Sequence, residues 1–356
     1  MTRSEELAFV YTGRPGRVIF ERGARAKVVE ELERLGVSSA IIITTPAQAD
    51  VAEEFASALG KRAGVVYTGA AQHTPTEVTE DAMETLRSAG ANGCLAIGGG
   101  STIGLSKAIA LRTDLPQLVV PTTFAGSEMT PILGQTQAGR KTTLTDPKVQ
   151  PETVIYDPDL LATLPREIAG PSALNAIAHS MEALYAREAN PVIDMFAEES
   201  IRALGESVPV FMGEGDPAHA YETALYGAWL GGICLGSVGM AIHHKICHTL
   251  GGTFDLNHAD VHCLMLPYSA AYNREAAPRA MAAIARALGA DDGPKGLFRL
   301  MQVAARVTSL RDFGLTEADL DRAADLSVEN PYWNPRPVTR EGVREMLQQA
   351  WQGQEP

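Results

Sequence analysis

Along the first 160 residues, short apolar runs rich in β-branched side chains alternate with stretches whose apolar positions recur every three or four residues. The run Ala40-Ile41-Ile42-Ile43-Thr44 is apolar at successive positions, the pattern of a strand covered on both faces. Residues 17–20, 64–67, 94–97 and 118–120 read as further strands, and 23–35, 48–59, 77–88 and 103–111 as intervening helices. In the first of these helices Val28, Val29, Leu32 and Leu35 share one side. Repeated β-α alternation predicts an α/β domain, Rossmann-like, with a parallel sheet and helices on both faces.

Past Asp157-Pro158 the texture changes. Strand-like runs nearly vanish, and Ala/Leu-rich helical stretches follow at 173–187, 194–204, 218–242, 279–288 and 295–307. We therefore expect a nucleotide-binding domain over 1–157 and an all-α substrate and catalytic domain over 158–356, with ligands in the cleft between the two. The run 9–20, broken by Gly13-Arg14-Pro15-Gly16, has the look of a hairpin that could pair across a two-fold axis, so a homodimer is expected.

Residues 223–242 carry no charge over 20 positions, long enough for a membrane span. They also hold Gly227, Gly231, Gly232, Gly236 and Gly239 and run straight into His243-His244-Lys245, which favours a closely packed buried helix and no membrane partner. The net charge of −13 argues against nucleic-acid binding, which needs a cationic surface. It leaves a small anionic substrate open, provided that clustered cations meet it. Four scattered cysteines without a CxxC pair point to a reducing compartment. The start Met1-Thr2-Arg3-Ser4-Glu5-Glu6 lacks the basic-then-apolar pattern of a signal peptide, so a cytoplasmic location is expected.

Gly98-Gly99-Gly100-Ser101-Thr102 falls between a strand and a helix. Glycines admit close approach of a ligand to the backbone, and the helix start offers unpaired N–H groups and a positive dipole end. This suits a pyrophosphate, although a tight turn with no ligand has the same composition. The run is neither GxGxxG nor a Walker loop. A second polar loop, Pro121-Thr122-Thr123-Phe124-Ala125-Gly126-Ser127-Glu128, follows the next strand. Five of the eight histidines, His243, His244, His248, His258 and His262, lie within twenty residues. His244 and His248 are four apart on one helix face, as are Asn175 and His179. Such spacing can bring His179, His244 and His258 around one point, as metal ligands or as proton donors.

The Gly-Gly-Gly-Ser loop, the Pro-Thr-Thr…Gly-Ser-Glu loop, the helical second half and the spaced histidines resemble the iron-containing (group III) alcohol dehydrogenase family, over about residues 10–350. Leu174-Asn175-Ala176-Ile177-Ala178-His179, the run from Ile242 to Gly252, and Asn330-Pro331-Tyr332-Trp333-Asn334-Pro335-Arg336-Pro337 resemble its maleylacetate reductase branch. The resemblance implies the dehydroquinate synthase-like fold and an NADH or NADPH cofactor on Thr44, Gly98, Gly99, Gly100, Ser101, Thr102, Thr122, Thr123 and Phe124. The family's metal ligands, one Asp and three His, fall on Asn175, His179, His244 and His258, so the only anionic ligand is an amide here. No metal is therefore expected. The early strand ends Ile43-Thr44-Thr45-Pro46 without the family's ribose-binding carboxylate, so both cofactors should be accepted.

The implied reaction is NAD(P)H-dependent reduction of the C=C bond of maleylacetate, a small dicarboxylate, to 3-oxoadipate. His243, His244 and His248 are then the expected acid and enolate-stabilising groups, with His179 and His258 beside them. Asn175, Lys245 and Arg336 are the expected substrate partners. The alternatives are a metal-dependent alcohol dehydrogenase and a nucleotide-binding protein without catalysis.

Overall fold

The computed structural model describes residues 9–13, 16–138, 140–213 and 217–356. It divides into two compact units, Arg14–Leu164 and Pro165–Pro356, the second taking in residues 9–13.

The first unit runs β1 (Arg17–Phe20), α1 (Val28–Arg34), β2 (Ala40–Ile43), α2 (Ala49–Leu59), β3 (Ala63–Tyr67), α3 (Thr76–Ala89), β4 (Gly93–Gly98), α4 (Gly100–Thr113), β5 (Gln117–Pro121), β6 (Ile132–Gln137), β7 (Arg140–Thr145) and β8 (Thr153–Tyr156). Six strands form one parallel sheet in the order β1-β8-β5-β4-β2-β3. The expected α/β class is borne out. Period-two alternation sorts the core: Ile42, Leu95, Ile97, Leu118 and Val120 pack with α1 and α2 on one face. Ile41, Ile43 and Cys94 pack with Met83 and Leu86 of α3 and Leu105 and Ile109 of α4 on the other.

The hairpin expected over 9–20 does not form among the described residues. β1 pairs in parallel with β8, Arg17 opposite Thr153 and Phe20 opposite Tyr156, and residues 9–13 carry no strand. Arg14 and Pro15 lie outside the described residues, as does the Met1–Glu6 start. The hairpin that does form joins β6 and β7, antiparallel with Ile132 opposite Thr145.

The second unit holds α5 (Arg166–Ala183), α6 (Pro191–Met212), α7 (Ala218–Ser237), α8 (Ile242–Phe254), α9 (His258–Tyr272), α10 (Pro278–Ala287), α11 (Gly293–Ala304), α12 (Glu317–Val328) and α13 (Arg340–Gln352). The single helix expected over 218–242 stops at Ser237, and α8 begins at Ile242 at 96° to α7. The break has a physical cause. The Gly239 N–H donates to Glu188 Oε2 at 3.1 Å and the Ala241 N–H to Glu182 Oε2 at 2.8 Å, so carboxylates replace the carbonyls that a continuous helix would use. No single helix among the described residues is long and apolar enough to cross a membrane. The glycines of α7 serve packing. A Cβ on Gly227 would stand 2.9 Å from Leu204 Cγ of α6, and one on Gly231 would stand 2.9 Å from the Ala176 carbonyl of α5.

Candidate active site

The sheet order reverses between β2 and β4, because α2 and α4, which follow them, lie on opposite faces. Ligands of open α/β sheets bind beyond the strand C-termini at such a point. Gly98 closes β4 with φ of 153°, and a Cβ there would meet Thr102 Oγ1 at 2.4 Å. Gly99 caps α4 without any side-chain bond to the helix start. The first N–H groups of α4 therefore remain available to an anion. The Thr122 N–H donates to the Gly98 carbonyl at 3.2 Å, which draws the second polar loop beside the first. From the end of β2, Gln48 Nε2 donates to Thr122 Oγ1 at 3.0 Å.

The expected cofactor residues have unequal surroundings. Gly99, Gly100 and Ser101 are half-buried or exposed, and Thr123 flanks Gly99. Thr102 is buried, and its Oγ1 has no hydrogen-bond partner within the protein. The buried Thr44 hydroxyl donates to the Ile97 carbonyl at 2.9 Å and clasps β2 to β4, while Phe124 is fully buried. A Cβ on Gly99 would lie 2.8 Å from Thr123 Oγ1. Gly99→Val should therefore crowd the loop and raise the NADH constant about 10-fold or more, read by fluorescence titration; unchanged binding would remove the loop from the site.

Lys107, on α4, went unremarked in the sequence. It is fully buried, and its Nζ donates to the carbonyls of Ser127 (2.5 Å), Thr130 (2.7 Å) and Ile132 (2.9 Å) and to Thr130 Oγ1 (2.9 Å). The glycine-loop helix is thereby tied to the segment that follows the second loop.

In the second unit, α5, α8 and α9 bring six histidines together. The His244 ring stacks on His179 with centroids 5.4 Å apart, and His243, His248 and His262 lie 5.5, 6.0 and 4.9 Å from it. His258 completes the cluster, 4.2 Å from His262 and 6.1 Å from His248. His179, His243, His244 and His262 are buried, whereas His258 is exposed. Burial, reinforced by the neighbouring imidazoles, pushes His179, His243 and His262 well below the usual imidazole range and keeps them neutral.

Their hydrogen bonds set direction. Ser269 Oγ donates back to its own helix, with the Met265 carbonyl at 2.9 Å and the Leu266 carbonyl at 3.0 Å, so it accepts from His243 Nδ1 at 2.7 Å. His243 Nε2 then accepts from His262 Nδ1 at 3.1 Å, and His262 Nε2 is left buried without a partner. His244 Nδ1 meets Glu182 Oε2 at 2.7 Å. His248 Nδ1 meets the Tyr332 hydroxyl at 3.3 Å, and burial together with the Glu182 charge raises Tyr332 above the ordinary phenol value.

Asn175 and His179 share the buried face of α5, and Asn175 Oδ1 and His179 Nδ1 have no hydrogen-bond partner within the protein. The two expected carboxylate partners are otherwise engaged. Lys245 Nζ donates to the Glu329 carbonyl at 2.8 Å. Arg336 donates to the Tyr272 carbonyl at 3.0 Å and lies 4.1 Å from the Tyr272 ring centroid. Sequence reasoning assigned no role to Glu182, His262, Ser269 or Tyr332. For Glu182 the available signal was its place three residues after His179 on the same helix face; His262 stood in the histidine cluster and Tyr332 in the run 330–337.

Residues 15–158 match the family model "Iron-containing alcohol dehydrogenase", and 170–351 match "Fe-containing alcohol dehydrogenase family, C-terminal". The chain is 50% identical to the maleylacetate reductase of Rhizobium sp. (strain MTP-10005) over 348 residues, covering 98% of this chain and 99% of that one. It is 48% identical to maleylacetate reductase 1 of Rhodococcus opacus, with 99% of each chain covered. The crystal structure of maleylacetate reductase from Agrobacterium tumefaciens superposes with a TM-score of 0.95 at 50% identity, covering 98% of this chain and 99% of that one. The chain belongs to the iron-containing alcohol dehydrogenase family and groups within it with the maleylacetate reductases.

Proposed function

We propose that the protein is a nicotinamide-dependent oxidoreductase that reduces the C=C bond of maleylacetate to 3-oxoadipate. The observation that carries this reading is about half-identity, over nearly the whole chain, to several maleylacetate reductases, joined to a cluster of buried neutral imidazoles.

A bound nicotinamide would supply a hydride to the alkene carbon β to the ketone; the alkene electron pair would then move onto the ketone oxygen, and a proton would add to the α carbon. In this reading the start of α4 and residues 98–102 hold the pyrophosphate, with Thr122 and Thr123 flanking the rest of the nucleotide. NADH and NADPH both suit the site, since no carboxylate follows β2 to repel a 2′-phosphate. His244 and His248 stabilise the enolate oxygen and deliver the proton, with His243, His179 and His258 beside them. Asn175 offers an amide donor to a substrate carboxylate, where an Asp would repel it. A homodimer and the absence of a nucleic-acid partner belong to the same reading.

The family takes its name from iron, so the donor set needs a test. Asn175, His179, His244 and His258 comprise an amide and three imidazoles, with no anion to neutralise a divalent ion. Among the described residues, the group of His, Cys, Asp or Glu ligand atoms within 4.8 Å of one another is His243, Cys247 and His262, and its two imidazoles are hydrogen-bonded to each other. The residues fit the ion poorly. One observation favours the metal-dependent alcohol dehydrogenase instead: Asn175 Oδ1 and His179 Nδ1, both buried, lack partners.

One assay separates the two readings. NADH oxidation is followed with maleylacetate and with a panel of simple alcohols and aldehydes, before and after chelator treatment, alongside metal analysis of the pure protein. We expect turnover of maleylacetate alone, little iron or zinc, and no loss with chelator. Stoichiometric metal whose removal abolishes activity would put the alcohol dehydrogenase first.

A further inference from the structure

We propose that Glu182 is a positioning residue that sets both the start of α8 and the ring orientation of His244; the proposal rests on the reading in which His244 acts on the substrate. Glu182 lies on α5 and is fully buried. Its carboxylate accepts three donors, all from the segment 241–244. Oε2 takes the Ala241 N–H at 2.8 Å and His244 Nδ1 at 2.7 Å, and Oε1 takes the His243 N–H at 2.7 Å.

The two backbone donors, Ala241 and His243, belong to a helix start that has no cap of its own. Ala241 is the residue preceding α8, and its side chain has no oxygen. A carboxylate 59 residues earlier in the chain does the capping instead, at the positive end of the helix dipole. An acid at that end is stabilising even when it comes from another helix.

The side-chain donor, His244 Nδ1, bears on chemistry. A carboxylate is acceptor-only, so the His244 nitrogen 2.7 Å away must carry a proton. Nδ1 is thereby committed to Glu182, and Nε2 is the nitrogen left for substrate. An imidazole without that partner could place its proton on either nitrogen and turn about χ2. Glu182 also stands three residues after His179 on the same helix face. One carboxylate thus ties the helix that carries His179 to the ring of His244, and the two rings stack at 5.4 Å. The arrangement of acceptor, imidazole and uncommitted Nε2 is that of an orienting carboxylate in an acid–base pair.

Helix capping alone predicts a different result from ring orientation, and Glu188 provides the contrast. Its Oε2 accepts the Gly239 N–H at 3.1 Å at the same helix break, while among the described residues its carboxylate has no hydrogen bond to a histidine. Glu182→Gln should lower kcat about 100-fold while leaving the NADH constant within about two-fold, and Glu188→Gln should retain near-normal turnover. Equal losses in the two variants, or near-normal turnover in Glu182→Gln, would overturn the positioning role.

Should Glu182→Gln fail to fold, the unmodified protein decides the matter. In ¹⁵N-histidine-labelled protein, with the His244 signals assigned through His244→Asn, long-range ¹H–¹⁵N correlations should show Nδ1 protonated. An unprotonated Nδ1 on His244 would overturn the proposal. The labelling result does not depend on the substrate, so failure of maleylacetate as substrate and failure of this proposal are separately visible.

Discussion

Replacing His244 by Asn should lower turnover of maleylacetate by about 100-fold or more without weakening NADH binding. The side chain is buried and lies at the centre of the cluster, in ring contact with His179, His243, His248 and His262. Asn keeps an N–H where Nδ1 meets Glu182, so the contact between α8 and α5 survives. What it loses is the Nε2 edge, which donates to an enolate oxygen when the ring carries protons on both nitrogens. His248→Asn should act in the same direction, since His248 shares the His244 face of α8 and meets the Tyr332 hydroxyl. Steady-state kinetics at saturating NADH read both variants. Turnover within a few-fold of the unmodified protein in both would move the chemistry to other groups.

Lys107→Met should destabilise the first unit by about 3–5 kcal/mol. Burial pushes the Lys107 ammonium down to about 7, against the pull of the Glu128 carboxylate, so the interior tolerates the charge only because it is bonded. The four oxygens around Nζ lie within 2.9 Å, three of them backbone carbonyls. Met fills the stem's volume and supplies no donor, which removes the ammonium's bonds from those carbonyls; the Ser127 carbonyl keeps the Thr130 N–H at 3.1 Å. Glu128 would keep the Tyr156 hydroxyl at 2.7 Å but lose its neighbouring cation. Calorimetry should show the transition of this unit roughly 10 °C lower. An unchanged midpoint would show that the charge contributes nothing net.

Some of this was legible in the chain and some was not, for reasons that lie in particular residues. The run Ile41-Ile42-Ile43 announces a strand buried on both faces, and β2 is one, with every residue fully covered. β6 and β7, read as Ile-Leu-Gly-Gln-Thr-Gln and Arg-Lys-Thr-Thr-Leu-Thr, lack apolar continuity because neither belongs to the buried sheet. α9 escaped notice because its residues from Asp260 to Ala270 are buried on all sides, which erases the periodicity that marks a surface helix. Histidine spacing located the cluster, since i and i+4 fix a face without knowledge of the fold. Glu182 and Lys107 could not be found that way. An isolated acid or lysine on a helix has the same appearance whether it faces water or the interior, and only the partners on distant segments distinguish them. The engagement of Lys245 and Arg336 with backbone carbonyls was invisible for the same reason.

The apolar stretch of α7 has a consequence for how the chain is made. Synthesis proceeds from the N-terminus, so α5 and α6 have already been translated when residues 223–242 emerge. Those two helices are the surfaces on which Gly227 and Gly231 rest. The cover of this stretch, uncharged over 20 residues, is therefore already synthesised when it emerges. A circular permutant whose new N-terminus opens the loop before α7 would reverse that order. The same contacts would be available in the finished molecule, yet the chain would have to carry its most apolar helix uncovered until α5 and α6 were made last.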